Sequence, residues 1–114
     1  MIRDQKIWVS GYRTMWMMVM FDLPVTEKKA RRAASRFRLY LQNEGFAMAQ
    51  FSVYYRFMAS KEIAEAVSGR IMENLPSEGH VEIIMITDKQ YENIKSFHGK
   101  KKDPAKKHEQ LTLF

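Results

Sequence analysis

The sequence predicts an α+β sandwich with two helices on one face of an antiparallel sheet, and three observations predict it. Met15 to Phe21 is an unbroken apolar run of strand length. Two later segments, opening at Thr26 and Ser60, repeat apolar residues at helical spacing. The stretches between and after them alternate or run apolar in the manner of strands. Strand, helix, split strand pair, helix, strand is the order of a ferredoxin-like βαββαβ sandwich.

Taken in order, the chain opens with an arm, residues 1–14, in which Arg3, Lys6, Trp8 and Tyr12 follow no clear period. The first strand is apolar on both sides, which predicts a central position with both faces covered. It ends at Asp22-Leu23-Pro24. Thr26 is the expected cap of the first helix; Ala30, Ala33, Ala34, Phe37 and Leu41 form its apolar stripe, and Gly45 stops it. Phe46 and Met48, then Phe51, Val53, Tyr55 and Phe57, alternate with period two. The phase slips by one residue across Ala49-Gln50, which predicts a bulge or two short strands meeting at Gln50. Ser60 begins the second helix, with Ile63, Ala64, Val67, Ile71 and Leu75 on its apolar side, and Pro76 and Gly79 end it. Val81 to Thr87 is a further strand, followed by a short turn holding Tyr91 and Ile94.

Residues 1–99 therefore read as one ferredoxin-like domain, 100–109 as a basic linker and 110–114 as an apolar docking segment. Two helices on one side leave the other sheet face open. Large apolar side chains there predict sheet-to-sheet packing with a second copy, giving a homodimer.

Composition narrows the function classes. With 114 residues, 46% hydrophobic and 28% charged, the chain suits one globular domain and excludes wholesale disorder. There is no cysteine, which removes disulfides, thiolate nucleophiles and cysteine-based zinc sites. The longest apolar run is too short to span a bilayer, and the first residues lack a signal-like apolar stretch, so a cytoplasmic location without membrane contact is expected. No Gly-rich phosphate loop, G-x-S-x-G elbow or RRM-type aromatic signature is present. His80, His98 and His108 show no metal-ligand spacing, and the nine methionines fall mostly in apolar runs as core filling.

Charge is placed asymmetrically. Residues 1–59 hold ten basic and four acidic side chains (+6), residues 60–97 four and seven (−3), and residues 98–114 five and two (+3). Such a directed field suits a polyanion. Across residues 26–44, Lys28, Lys29, Arg31, Arg32, Arg36 and Arg38 face only Glu27 and Glu44. Lys28, Arg32 and Arg36 are spaced by four and form one stripe with Arg31 beside it, away from the apolar stripe. Acidic partners that lace an ordinary solvated helix face are scarce, so Lys28, Lys29, Arg31, Arg32 and Arg36 are the candidate phosphate contacts to duplex nucleic acid. Gln50 and Ser52 could also bond a phosphate near the slip, although a plain strand-face role is the simpler reading.

Asp22 closes the first strand, and the ends of strands in open α/β sheets often carry functional groups. The plainer reading is a turn aspartate that bonds local backbone. Its nearest acidic neighbour is Glu27, so a metal site here needs the Asp22 of a second chain.

The apolar strand ending in Phe21-Asp22-Leu23-Pro24, the Lys28-Lys29-Ala30-Arg31-Arg32 helix and the run Gln50-Phe51-Ser52-Val53-Tyr54 together resemble the CRISPR-associated Cas-two family. The resemblance spans about Met15 to Gly99. It implies a ferredoxin-like homodimer at the centre of a spacer-acquisition complex, bridging duplex prespacer DNA beside a CRISPR-associated integrase subunit. It also implies a metal-dependent endonuclease in which Asp22 is the catalytic residue and the Mg²⁺ ligand. The scaffold role is favoured, because the chain offers a broad basic face and one good carboxylate. The alternative is a toxin-like metal-dependent endoribonuclease of similar fold acting without an integrase. For the last segment, Gln110, Leu111, Leu113 and Phe114, the resemblance implies strand addition to a neighbouring subunit or the integrase. The same residues also look like the Gln-Leu-x-Leu-Phe peptide that docks on the DNA polymerase sliding clamp.

Overall fold

The computed structural model describes residues 15–100. The expected arm and the segment carrying Gln110, Leu111, Leu113 and Phe114 lie outside the described residues, as does the linker beyond Lys100. Four strands, β1 (Met15–Asp22), β2 (Ala47–Gln50), β3 (Val53–Met58) and β4 (His80–Thr87), form one sheet in the order β2-β3-β1-β4. All neighbours are antiparallel. Helices α1 (Lys28–Asn43) and α2 (Lys61–Glu73) connect them in the ferredoxin-like order, and a short α3 (Asp88–Glu92) follows β4. No helix among the described residues is long and apolar enough to cross a membrane.

The period-two alternation of β1 sorts its side chains between two environments. Met15, Met17, Val19 and Phe21 are buried under the helices; Trp16, Met18 and Met20 are half-buried on the opposite face, and Asp22 is exposed. The core joins the buried β1 residues to Tyr54 and Met58 of β3, Ala34, Phe37 and Leu41 of α1, and Ala64, Val67 and Ile71 of α2. Each large apolar side chain buried this way contributes about 1.5–3 kcal/mol. The expectation that both faces of β1 are covered therefore holds for one face. On the other, Met18 stands beside Tyr55 and Ile84, and Met20 beside Val53 and Glu82.

The one-residue slip is real. β2 and β3 form a hairpin through Phe51 and Ser52, and a bulge falls between Met48 and Gln50. Gly45 ends α1 with φ +95°. Its N–H bonds the Gln42 carbonyl at 3.0 Å and the Phe46 N–H bonds Leu41 at 3.0 Å, the paired bonds of a Schellman stop. Thr26 does not cap α1. The cap position is Glu27, and it makes no side-chain capping bond. On α2, Ala64, Val67 and Ile71 carry the packing while Ile63 stays exposed; the helix ends at Glu73, so Leu75, expected on its apolar side, lies beyond it and is exposed as well.

The turn expected around Tyr91 is instead α3, held by a Thr87–Gln90 capping box. Tyr91 stacks on Trp16 with ring centroids 3.7 Å apart and meets Tyr55 edge-on at 5.3 Å, and Trp16 Nε1 donates to Asp88 at 2.8 Å. Part of the open sheet face is thereby covered from within the chain. Burial raises the Tyr55 and Tyr91 phenols above their ordinary value, with Tyr91 raised further by Tyr55 and Asp88.

Candidate nucleic-acid interface

The first turn of α1 is built against ordinary helix electrostatics. A helix N-terminus carries unbonded N–H groups and a partial positive charge, so acids there stabilise and cations destabilise. The first turn contains no acid, and Lys28 and Lys29 begin the helix. Arg31 Nη1 reaches back to the Val25 and Thr26 carbonyls at 3.1 and 3.2 Å. That ties the loop after Pro24 to the helix without quenching any charge.

Lys28, Arg31, Arg32, Ser35 and Arg36 line one shallow surface groove. Lys29 does not line it and opens instead onto the cleft between α1 and the α2–β4 connection, where Arg36 also reaches. The four cations of the predicted stripe thus stand together, with Lys29 on the flank. Among the described residues none of these five forms an ion pair. Glu44, one of only two acids near α1 in sequence, is spent elsewhere. Its carboxylate accepts from Arg70 Nε at 2.7 Å, Arg70 Nη2 at 2.9 Å and the Tyr40 hydroxyl at 3.1 Å, with Arg56 at 4.0 Å. The Arg70 bonds hold Glu44 below its ordinary value against the opposing effect of burial. Tyr40 is raised by burial and by Glu44.

Sequence reasoning missed two contacts. Arg38 was counted as charge but given no contact; its Nε donates to the Phe51 carbonyl at 3.3 Å and its guanidinium lies 3.8 Å from the Phe51 ring centroid. Glu44 and Arg70 are 26 residues apart, and no local pattern pairs them.

Asp22 projects from the sheet face opposite the helices, sharing the parity of Trp16, Met18 and Met20. Its cross-strand partner is His80, which pairs with Glu82 at 3.4 Å. Gly79, at φ +107°, fits the chain against Asp22: a Cβ there would meet Leu23 Cδ2 at 2.5 Å and the Asp22 carbonyl at 3.0 Å. Among the described residues no group of three His, Asp or Glu side chains could hold a metal ion. A hard divalent ion such as Mg²⁺ seldom relies on one protein carboxylate, so exposed Asp22 would hold it together with the Asp22 of a second copy, water completing the shell.

The fold and this surface define a ferredoxin-like α+β domain whose first helix presents cations without ion pairs among the described residues. The particular family follows from comparison: residues 15–94 match the family described as CRISPR associated protein Cas2, and the chain belongs to it. Among similar proteins, CRISPR-associated endoribonuclease Cas2 of Paracidovorax avenae is 49% identical over 107 residues, 93% of this chain and 99% of that protein. The protein of that name from Flavobacterium psychrophilum is 46% identical over 93% of each chain. The one from Parvibaculum lavamentivorans is also 46% identical, over 88% of this chain and all of the relative.

Proposed function

We propose that this Cas2-family chain acts in CRISPR adaptation as a homodimer that binds duplex prespacer DNA along α1 and bridges integrase subunits. The observation that carries this reading is the groove of Lys28, Arg31, Arg32 and Arg36, cationic and without ion pairs among the described residues. Side chains of this kind neutralise phosphates regardless of base sequence. A second copy covers the open sheet face, where Met18, Met20, Val53, Tyr55 and Ile84 stand in cross-strand rows. The segment containing Gln110, Leu111, Leu113 and Phe114 adds a strand to a neighbouring subunit or the integrase. An apolar groove along the outer edge of β4, lined by Ile71, Met72, Leu75, Val81, Ile83 and Met85, supports that docking mode. Deleting residues 110–114 is expected to abolish integrase affinity. If the deletion instead removes only binding to purified sliding clamp, the segment is a clamp peptide.

Endonuclease activity is the second reading, favoured by the name its relatives carry and by Asp22 at the strand end. Asp22 from each of two copies would hold Mg²⁺, which when bound activates a water and offsets charge on a phosphodiester. His80 and Glu82 flank Asp22 on the same face. Asp22→Asn is expected to abolish metal-dependent cleavage of RNA or DNA while leaving duplex binding and spacer integration nearly intact. Loss of integration in a folded, dimeric, integrase-bound variant would count against the scaffold reading. Cleavage without any integrase dependence, together with no duplex affinity, would favour the toxin-like endoribonuclease instead.

A further inference from the structure

The opening turn of α1 lacks the ordinary supports of a helix start. Glu27 at the cap position makes no side-chain bond, no acid stands in the first turn, and two lysines open it. No side chain there offsets the unbonded N–H groups and the partial positive charge they carry, and such an end frays unless something else holds it. Arg31 supplies the hold. Its N–H makes the first backbone bond of the helix, to the Glu27 carbonyl at 2.9 Å. Its side chain turns back over the same turn, where Nη1 donates to the Val25 carbonyl at 3.1 Å and the Thr26 carbonyl at 3.2 Å. Further back the entering chain is pinned at buried Leu23, which packs so closely on Gly79 that a Cβ there would lie 2.5 Å from Leu23 Cδ2. Pro24 to Glu27 therefore spans two anchors, and Lys28, the first residue beyond them, lines the cationic groove.

We propose that Arg31 serves the duplex site as a positioning residue: it holds the first turn of α1 in place of a cap, so that Lys28 meets a phosphate from an ordered turn. Binding requires this hold and not a phosphate contact by Arg31 itself. The inference deepens the duplex-binding reading above and rests on it. Both hydrogens of Nη1 are spent on backbone carbonyls. The planar guanidinium suits such a paired bond and keeps its charge throughout. An acidic cap would order the turn as well, but it would set a negative charge beside a phosphate backbone. Arg31 orders it with the sign that a polyanion accepts. Ordering the turn in the free protein also lowers the entropy lost when Lys28 engages its phosphate.

The test reads anisotropy of a blunt DNA duplex with the full chain over a series of salt concentrations. Lys28→Gln and Arg31→Gln are each expected to lower the log–log salt slope by about 1. The double variant should fall no further, because losing the hold has already freed Lys28. Two independent phosphate contacts would add to a fall of about 2, which overturns the proposal. A second arm restores the hold by other means in the Arg31→Gln background. Glu27→Ser installs a capping hydroxyl, whereas Glu27→Gln removes the same charge with a residue outside the capping set. Serine is expected to bring back affinity and slope and glutamine not; equal recovery by both, or recovery by neither, overturns the proposal. Hydrogen exchange without nucleic acid reads the hold directly. Arg31→Gln should speed exchange of the residue 31 amide and Glu27→Ser should slow it again, and unchanged exchange in Arg31→Gln overturns the hold. Wild type that binds no duplex overturns the proposal through its premise, and the exchange result tells that failure from a failure of the hold.

Discussion

Helices α1 and α2 lie on the same face of the same sheet, and their ends obey opposite rules. α2 opens on Ser60, whose hydroxyl accepts from the Ile63 N–H at 3.1 Å. It carries Glu62 in its first turn and Arg70 in its last, and Lys61 pairs with Glu65 one turn on. Ser60 satisfies an end group and Glu62 and Arg70 offset the helix dipole, while Lys61 at the first position is neutralised by Glu65. α1 has no side-chain cap, no acid in its first turn and no base in its last. Its stability comes from the buried stripe of Ala34, Phe37 and Leu41 and from the Gly45 stop. The opening lysine of α2 has its own counterion, whereas Lys28 and Lys29 at the start of α1 oppose the dipole and form no ion pair among the described residues. A local rule broken without compensation inside the chain points outward, to a ligand that supplies the missing negative charge.

The largest effect should come from removing that ligand's contacts. Reversing Arg32 and Arg36 to Glu is expected to weaken duplex binding by at least about tenfold and to lower the log–log salt slope by about 2, since each phosphate contact contributes roughly 0.9. Thermal stability should not fall, because neither side chain makes an ion pair among the described residues. Titration at several salt concentrations decides it; an unaltered slope would show that the stripe is only solvated and that the two helices differ for no functional reason.

Next in size is the joint between the helices. Glu44→Gln keeps an acceptor but loses the charge that Arg70 grips with two bonds. Arg70 is about half exposed, so solvent screens the pair and the variant should show a modest fall in Tm. The Glu44 carboxyl lies below its ordinary 4.5 in the folded chain. Its contribution is therefore complete above about that pH and is lost as pH falls through the lower folded value. Wild type and variant should converge in stability on acidification, while duplex affinity at neutral pH stays unchanged.

What could be read from the sequence divides along physical lines. The order of elements, the stop at Gly45 and the slip at Ala49-Gln50 were legible because each rests on a period or residue type a few positions wide. The groove of Lys28, Arg31, Arg32 and Arg36 was legible for the same reason, since helix geometry alone brings residues four apart together. The start of α1 was misassigned by one residue: Thr26 is the better capping side chain, but its carbonyl is held by Arg31 and the helix begins after Glu27. Long-range contacts left no local trace. Trp16 and Asp88 are 72 residues apart, and nothing near either predicts that α3 folds back over the open sheet face. Arg38 and Phe51 meet only because the bulged hairpin turns its tip toward α1. Lys29 was named as a candidate phosphate contact outside that stripe, and since one position along a helix turns a side chain by about 100° it opens onto the neighbouring cleft.

A third experiment measures α2 by its own rule. Ser60→Ala removes the capping hydroxyl and should cost about 1 kcal/mol, read as a lower denaturant midpoint with an unchanged slope. Nucleic-acid affinity should be untouched, because α2 contributes nothing to the cationic groove. A binding defect in this variant would mean that the two helices do not divide stability and recognition between them.

The smallest effect is also the most discriminating, because its two parts carry opposite signs. Lys28 stands at the first position of α1, where its charge opposes the helix dipole, and it lines the groove with Arg31, Arg32 and Arg36. Lys28→Glu places an acid beside the uncapped N–H groups and should stabilise the free protein by about 0.3–1 kcal/mol at low salt, fading as ionic strength rises. The same change removes a phosphate contact and adds repulsion, so duplex affinity should fall and the salt slope should drop by about 1. A plain charge-to-neutral control, Lys28→Gln, should fall between the two in both measurements. If Lys28→Glu destabilises the fold, the lysine is serving a contact within the chain, and the contrast between α1 and α2 loses its meaning at this position. If it stabilises the fold and leaves binding unchanged, the duplex does not reach Lys28, and the interface begins further along α1. Only a gain in stability coupled to a loss of affinity fits a helix whose opening charges are kept for a polyanion at its own expense.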